Sequence, residues 1–599
     1  MANTNYSLAG AEAQKLSTLN KVGIALFVFG GLGLVQLGTK FSFLDKSIGL
    51  LFENKSLTGV FTENYGYYLA FIFFLIGTLL FTKQRFKPEF RLIAFKNQNI
   101  AQRLGLALGL IGFGVLMVSW LGVQFSNPTI FLWLSLSTMA IGIFVYIRGA
   151  YSNHTAGIKN NHVWFNSLTN AGILGWVAGI LLTLFYIQLY WFADSLEGMI
   201  RLFDPLSYQI TGGKASQWFV YGTLYTFVIL FLGFKFIIKY RHNRYQLIRT
   251  ISVMFFQLVF AYSLPYVLEA FAETQGYFGK DLKNIWPLNY SFVDAGQLNA
   301  MSNSGVSGTF FFFWGIILFL VITPVLTYFV GKRWYCSWVC GCGGLAETAG
   351  DGFRQLSNKK MSAWKIERWV IHLVMVFVLV MTIGALWPYF SGSEYEIGFA
   401  TITGLGYYIF TLVLLLGFGT LFFLGYRKYD RKLLLVAAII TALIAILLTV
   451  AFATGKQDLF MVKSKTLKSA YGFIIGASFS GVIGVGFYPI LGNRVWCRFG
   501  CPMAGYMGLF QRFKSKFRIS TNGAQCISCG NCSTYCEQGI DVRAYAQKGE
   551  NIVRASCVGC GICSAVCPRG VLKLENGPEE GRFEPNPLEV TKDGVKLHL

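Results

Sequence analysis

Apolar and polar residues alternate along this chain in long blocks rather than at the short periods of a soluble fold. Apolar runs of about 20 residues recur from residue 21 to residue 491, separated by short polar links. Such runs are long enough to cross about 30 Å of hydrocarbon as helix. The pattern predicts 12 spans, at 21–38, 65–82, 104–124, 128–147, 170–193, 217–238, 249–270, 308–331, 369–390, 403–425, 433–454 and 470–491. The link between the third and fourth, at Ser126-Asn127, is short enough to predict a helical hairpin. After residue 519 the pattern changes to a small, cysteine-rich, soluble segment.

The expected architecture is therefore an all-α polytopic membrane protein carrying a small C-terminal α+β domain. Its parts are a cysteine-free membrane domain of about seven helices (1–305), a second membrane domain of about five helices (306–519), a soluble domain (520–575) and a polar, mobile tail (576–599). Composition agrees. The 599 residues are 54% hydrophobic and 13% charged, with mean hydropathy +0.51, against about 25% charged in soluble domains. The N-terminus lacks the short apolar core and small-residue cleavage site of a signal peptide, so the run from Val22 reads as a retained span.

The net charge is +23. Its basic residues sit in alternate loops, in KQRFKPEFR (83–91), KYRHNR (239–244), the 332–368 segment and YRKYDRK (426–432). This is the loop asymmetry of a membrane protein rather than one basic patch, so no nucleic-acid partner is expected. It predicts a bacterial inner-membrane protein with both termini and the soluble domain in the cytoplasm. The loop 455–469, with Lys456, Lys463, Lys465 and Lys468, runs against that rule.

All 13 cysteines lie between Cys336 and Cys567, on the predicted cytoplasmic side, which excludes a disulfide scaffold. Eight form two consecutive runs of C-x2-C-x2-C-x3-C: Cys526, Cys529, Cys532, Cys536, and Cys557, Cys560, Cys563, Cys567 followed by Pro568. In this spacing the fourth cysteine of each run serves the other cluster. Two [4Fe–4S] clusters are expected, one on Cys526, Cys529, Cys532 and Cys567, the other on Cys557, Cys560, Cys563 and Cys536. Zinc sites use paired C-x2-C knuckles with four ligands, not eight in this register. Glu537 stands after Cys536 where proline is usual.

The membrane half contains a repeat. Gly331-Lys-Arg-Trp-Tyr-Cys336-Ser-Trp-Val-Cys340-Gly-Cys342 and Gly492-Asn-Arg-Val-Trp-Cys497-Arg-Phe-Gly-Cys501-Pro502 both read G-x-R-x-aromatic-C-x3-C. Each follows a span with a proline near its end (Pro324, Pro489). Two loops meeting across a pseudo-twofold axis would bring together Cys336, Cys340, Cys497 and Cys501 for a third iron–sulfur cluster, copper or a reversible dithiol, with Cys342 as a spare ligand. Packing cysteines are the plainer alternative.

These C-x3-C-P loops followed by a two-cluster ferredoxin domain resemble the NosR/NapH/CcoG group of membrane polyferredoxins over about 306–575. Gly341 in place of proline, and the extra Cys342, depart from the family pattern; residues 1–305 match none of it. The resemblance implies electron transfer from quinol to exported reductases, support of nitrous-oxide reductase, or copper handling during oxidase assembly.

Of the five histidines, His154, His162, His242, His372 and His598, only His372 falls within a span, so a b-haem ladder is not expected. No nucleotide fingerprint occurs in a strand–helix context. By elimination the membrane partner is a quinone, with His372, beside Glu367 and Arg368, the candidate for its proton; a histidine at the interface is the plainer reading. Glu269 is a weaker candidate. The aromatic loop 271–306 (Tyr277, Phe278, Trp286, Tyr290, Phe292) reads as an interfacial belt. The leading expectation is an electron-transfer protein between the quinone pool and an unidentified redox protein. A maturation factor delivering electrons to copper or a client metalloenzyme, and a redox sensor or transporter, are the alternatives.

Overall fold

The computed structural model describes residues 99–152, 166–268, 295–392, 394–424, 431–456, 464–513, 515–577, 588–591 and 594–597, with isolated positions elsewhere. The spans expected at 21–38 and 65–82, Glu269, His154, His162, His598 and the aromatics of the 271–294 loop lie outside these residues. The chain divides into two compact units, Met1–Pro88 and Glu89–Leu599, and the described helices and strands from residue 99 onward belong to the second.

Ten expected spans correspond to helices. Among the described residues, seven are long and apolar enough to cross a membrane: Ile100–Trp120, Pro128–Tyr151, Ile173–Trp191, Gln217–Lys239, Arg244–Leu268, Gly305–Val330 and Met361–Gly392. Gly404–Gly417, Ala438–Thr454 and Leu467–Ile483 are shorter apolar helices. Only 11% to 39% of each long span is buried within the protein. Side chains such as Leu110, Phe113 and Leu416 point outward, as hydrocarbon-facing residues do.

The hairpin at Ser126-Asn127 forms as the short link requires. Asn99 and Asn127 cap its two helices, and Pro128 opens the second. Glycines bring the helices to backbone contact: a Cβ on Gly105 would lie 2.5 Å from the Tyr146 nitrogen, and one on Gly112 would strike the Ser135 carbonyl oxygen.

The repeated motif is a repeated structure. In each copy a π-helical segment (Leu318–Ile322, Gly472–Ile483) leads to a proline-bearing helix (Thr323–Val330, Tyr488–Leu491). Each helix stops at a glycine, Gly331 (φ 72°, ψ 173°) or Gly492 (φ 98°, ψ 168°). That region of backbone space is essentially reserved for glycine. The second cysteine of each loop, Cys340 or Cys501, has extended backbone (φ −69°, ψ 127° and φ −80°, ψ 115°) and starts the next helix, Gly341–Thr348 or Pro502–Phe513. The single span expected at 470–491 is thus broken: Gly492 has to turn the chain into the cysteine loop, and the turns 484–487 intervene.

Helices from either side of residue 305 share one core, in which Ile229 and Val253 pack with Leu345, Ala346 and Tyr488. The soluble domain starts slightly earlier than expected, because Phe517–Thr521 pairs antiparallel with Leu572–Asn576 to close it. The segment after 576 contains a further antiparallel pair, Leu588–Thr591 with Gly594–Leu597, where a structureless tail is expected from its polarity.

Candidate metal centres

The two C-x2-C-x2-C runs adopt the same backbone. Ser528 (φ 55°) and Gly559 (φ 63°) take equivalent left-handed positions, as do Gly530 (φ 77°) and Gly561 (φ 75°). Each left-handed residue turns the chain around a common centre. The cysteines line two cavities. Cys526, Cys529, Cys532 and Cys567 line one cavity, with Ile527, Pro568, Arg543 and Arg569 at its rim. Cys536, Cys557, Cys560 and Cys563 line a second, with Glu537, Gln538 and Val558.

The second cavity fits an inorganic group on two counts. Four thiols converge on it, and burial pushes the Cys557 thiol up to about 11; a bound metal removes that penalty by taking thiolate. The Gln538 side chain, 2% exposed, lines the same cavity with neither its amide nitrogen nor its carbonyl oxygen hydrogen-bonded within the protein. Buried amides are normally satisfied, and an N–H facing cluster sulfur would satisfy this one.

The two loops differ in setting. The second is docked onto the membrane half. Ser337 Oγ donates to the Val558 carbonyl (2.8 Å), Tyr245 Oη to Gly559 (2.8 Å), Gln246 Nε2 to Cys560 (2.9 Å) and Gln511 Nε2 to Cys557 (2.7 Å). Phe236 and Tyr240 pack against Tyr535, Ile562 and Val566. Cys529, in the first loop, is exposed.

Cys336, Cys340, Cys342, Cys497 and Cys501 come together beneath this dock. Cys336, Cys497 and Cys501 are buried in one core cluster, against which Cys340, Cys342 and Cys560 also pack. Burial pushes the Cys336 thiol up to about 12, with Cys497 and Cys340 adding to the rise. The neighbouring Cys340 and burial both push the Cys342 thiol up. The Ala504 amide donates to Cys501 Sγ at 3.4 Å.

A buried ion network joins this group to the second cavity. Arg494, the arginine of the repeat, donates from Nη1 to Cys497 Sγ (3.6 Å) and to the Cys336 carbonyl (3.2 Å), and from Nη2 to Glu347 (2.8 Å). Its Nε lies 3.0 Å from Glu537 Oε1. Arg354 bridges Glu537 (2.5 Å), Asp351 (2.9 Å) and Glu347. Arg249 pairs with Glu347, and Lys239 with Asp351 at 2.6 Å. Burial would push the Glu347 carboxyl up, but three guanidiniums hold it well below its usual range. A Glu347, Glu537 and Cys560 triad also lies within metal-binding distance; its carboxylates are already saturated by arginine. Counting Lys235, five buried cations face three buried carboxylates. Arg494, one of these cations, touches Cys497, whose ligated thiolate would offset part of the surplus.

This network escapes a reading of the sequence because its members lie up to about 300 residues apart. Two signals point to it: the arginine shared by the two repeats, and Glu537 in the place of proline. Glu367, expected beside His372, bonds Arg498 at 2.6 Å. The half-buried His372 ring contacts the Arg368 carbonyl through Nδ1.

Compared with known families, residues 518–568 match a 4Fe-4S dicluster domain. A 4Fe-4S binding domain matches twice, over 311–362 and 474–520, the two copies of the repeat. No curated protein and no solved structure matches the chain. The matches support an iron–sulfur protein with an electron-transfer role, and the apolar helices a membrane protein.

Proposed function

We propose that this protein is a bacterial inner-membrane electron conduit linking the quinone pool to a redox partner through three iron–sulfur centres. The observation that carries the reading is the path Cys497–Arg494–Glu537–Cys536, which joins the five-cysteine group to the second ferredoxin cavity. When bound, a [4Fe–4S] cluster accepts and releases one electron.

The chain's own residues supply the rest. Cys526, Cys529, Cys532 and Cys567 would hold the outermost centre, Cys536, Cys557, Cys560 and Cys563 the middle one, and four of Cys336, Cys340, Cys342, Cys497 and Cys501 the innermost. Tyr245, Gln246, Ser337 and Gln511 fix the middle loop against the membrane half. The buried cations balance the anionic thiolates, and the apolar surroundings keep water from the inner two sites. His372 is the ring offered for the quinone proton.

The test is anaerobic. A menaquinol analogue is added to the purified protein, and cluster reduction is followed by EPR and absorbance. Reduction on a turnover timescale, blocked by a quinone-site inhibitor, is expected. Reduction by dithionite but never by quinol would refute the quinone link.

The fifth thiol favours a second reading. Cys342, packed with Cys340 against the same cluster, gives one more soft ligand than a cubane needs, as a copper-handling assembly factor would. Copper retained at these cysteines in the purified protein would move that reading ahead.

A further inference from the structure

The two cysteine loops of the soluble domain share one backbone but not one environment. Val558 and Ile527 occupy equivalent places, between the first and second cysteines of their runs. Val558 is 1% exposed, covered by the membrane half; Ile527 is 56% exposed. The neighbouring glycines differ in the same way. A Cβ on Gly559 would lie 2.7 Å from the Cβ of Arg333, and one on Gly561 would lie 2.8 Å from the Tyr245 ring. The docked loop therefore has no room for side chains there. At the first of these positions the other loop carries Ser528, and above its glycine, Gly530, the nearest neighbour to a Cβ is the Arg543 guanidinium at 3.8 Å.

An exposed branched aliphatic beside an exposed ligand-type cysteine is what a protein interface leaves when its partner is away. The charge around it selects the partner. The only charged side chains lining the first cavity, among the described residues, are Arg543 and Arg569, whereas the docked cavity has only the carboxylate Glu537. Pro568 and Arg569 are exposed on the same rim.

We infer that the face formed by Ile527, Ser528, Pro568, Arg543 and Arg569 is the docking port for a soluble, acidic one-electron carrier, which meets this loop as the membrane half meets the other. This rests on the electron-transfer reading above. The exchange is a single electron: the carrier is oxidised by one, the centre held at the port is reduced by one, and no bond forms or breaks. Opposed charges steer the encounter, and Ile527 supplies the dry contact at its centre.

The experiment mixes the loaded full-length protein in neutral-lipid nanodiscs with a reduced acidic flavodoxin in a stopped-flow instrument. Salt concentration is varied. Arg543→Glu/Arg569→Glu and, separately, Ile527→Glu are compared with the unaltered chain. Iron content and the dithionite-reducible EPR signal are measured on each variant, so that rates refer to loaded protein. The second-order rate constant should fall with salt, and by about tenfold or more in the double charge reversal; the exposed Ile527→Glu should slow it as well. A rate constant indifferent to salt and to both variants overturns the port. So does an unaltered chain reduced by dithionite but not by flavodoxin. Absence of any dithionite-reducible signal in the unaltered chain would instead sink the electron-transfer reading, and the port with it.

Discussion

Arg494 Nε lies 3.0 Å from Glu537 Oε1, and the same guanidinium reaches Cys497 Sγ at 3.6 Å. One side chain thereby touches both the membrane repeat and the ferredoxin domain, in a region where Arg494 and Glu537 are each 1% exposed. Removing one partner of a buried pair leaves an uncompensated charge and costs about 3–5 kcal/mol. Glu537→Leu, which takes one shared carboxylate from Arg354 and Arg494 and leaves them Glu347 and Asp351, should lower thermal stability by up to that order, while Glu537→Gln keeps hydrogen bonding and should lose less. Unfolding in detergent, followed by the iron–sulfur absorbance, measures both; equal effects would mean that the lost charge alone, and not the hydrogen bonds, sets the cost.

The inner cysteine group predicts a selective lesion. Cys497→Ser/Cys501→Ser, which leaves only three thiols in the group, should remove about four irons per chain and one EPR species, leaving the two ferredoxin signals. Iron and sulfide counts that match the unaltered protein would show that the inner group holds no cluster.

Gln538 offers an amide to the middle cavity and nothing else. Hydrogen bonds to cluster sulfur stabilise the reduced, more negative state. Gln538→Leu should therefore lower the reduction potential of one cluster and leave the other unmoved in an EPR-monitored titration. A shift of both, or of neither, would argue against that bond.

Gly492→Ala places a Cβ 2.5 Å from Ser357 Oγ at a φ of 98°. The backbone strain alone costs about 1–3 kcal/mol. A loss of that size or more is expected in thermal stability, with reduced iron content at the inner site, since the glycine turns the chain into the Cys497 loop. Gly331→Ala should behave alike, as its Cβ would lie 2.6 Å from the Phe517 ring. Measuring both variants tests whether the repeat is symmetric in energy as well as in shape.

Acid should open the network from Asp351. Burial raises its carboxyl, but Lys239, Arg354 and Lys235 outweigh burial and hold it far below its ordinary 3.8. The folded value lies below the unfolded one, so the stabilisation is present above about pH 4 and is lost as the pH falls further. Stability measured from pH 7 downward should stay flat in this respect until about pH 4 and then decline, and Asp351→Asn should blunt the decline.

The eight cysteines of the two C-x2-C-x2-C-x3-C runs line two cavities, and that register is readable in the sequence because the spacing is local. The repeat is readable for a similar reason: G-x-R-x-aromatic-C-x3-C is local. The helices are readable as apolar runs, though the run at 470–491 hides a break, since apolar composition does not register π-helical turns. What cannot be read locally is contact between distant segments. Arg249, Glu347, Asp351, Arg494 and Glu537 are ordinary charges in sequence and become one structure only when distant segments converge. Ile527 and Val558 likewise look equivalent until one of them is covered.

The lock formed by Arg494, Arg354 and Glu537 also imposes a chronology. Glu537 belongs to the ferredoxin domain, and its carboxylate sits over the arginine that touches Cys497. Once it is seated, the inner cysteines are sealed beneath Cys560 and the docked loop. On the proposed reading, metal would have to reach Cys336, Cys340, Cys342, Cys497 and Cys501 while the domain still stands away, and the innermost site would be filled first in biogenesis. Apoprotein allowed to close beforehand should take up iron beside the exposed Cys529 and remain deficient within.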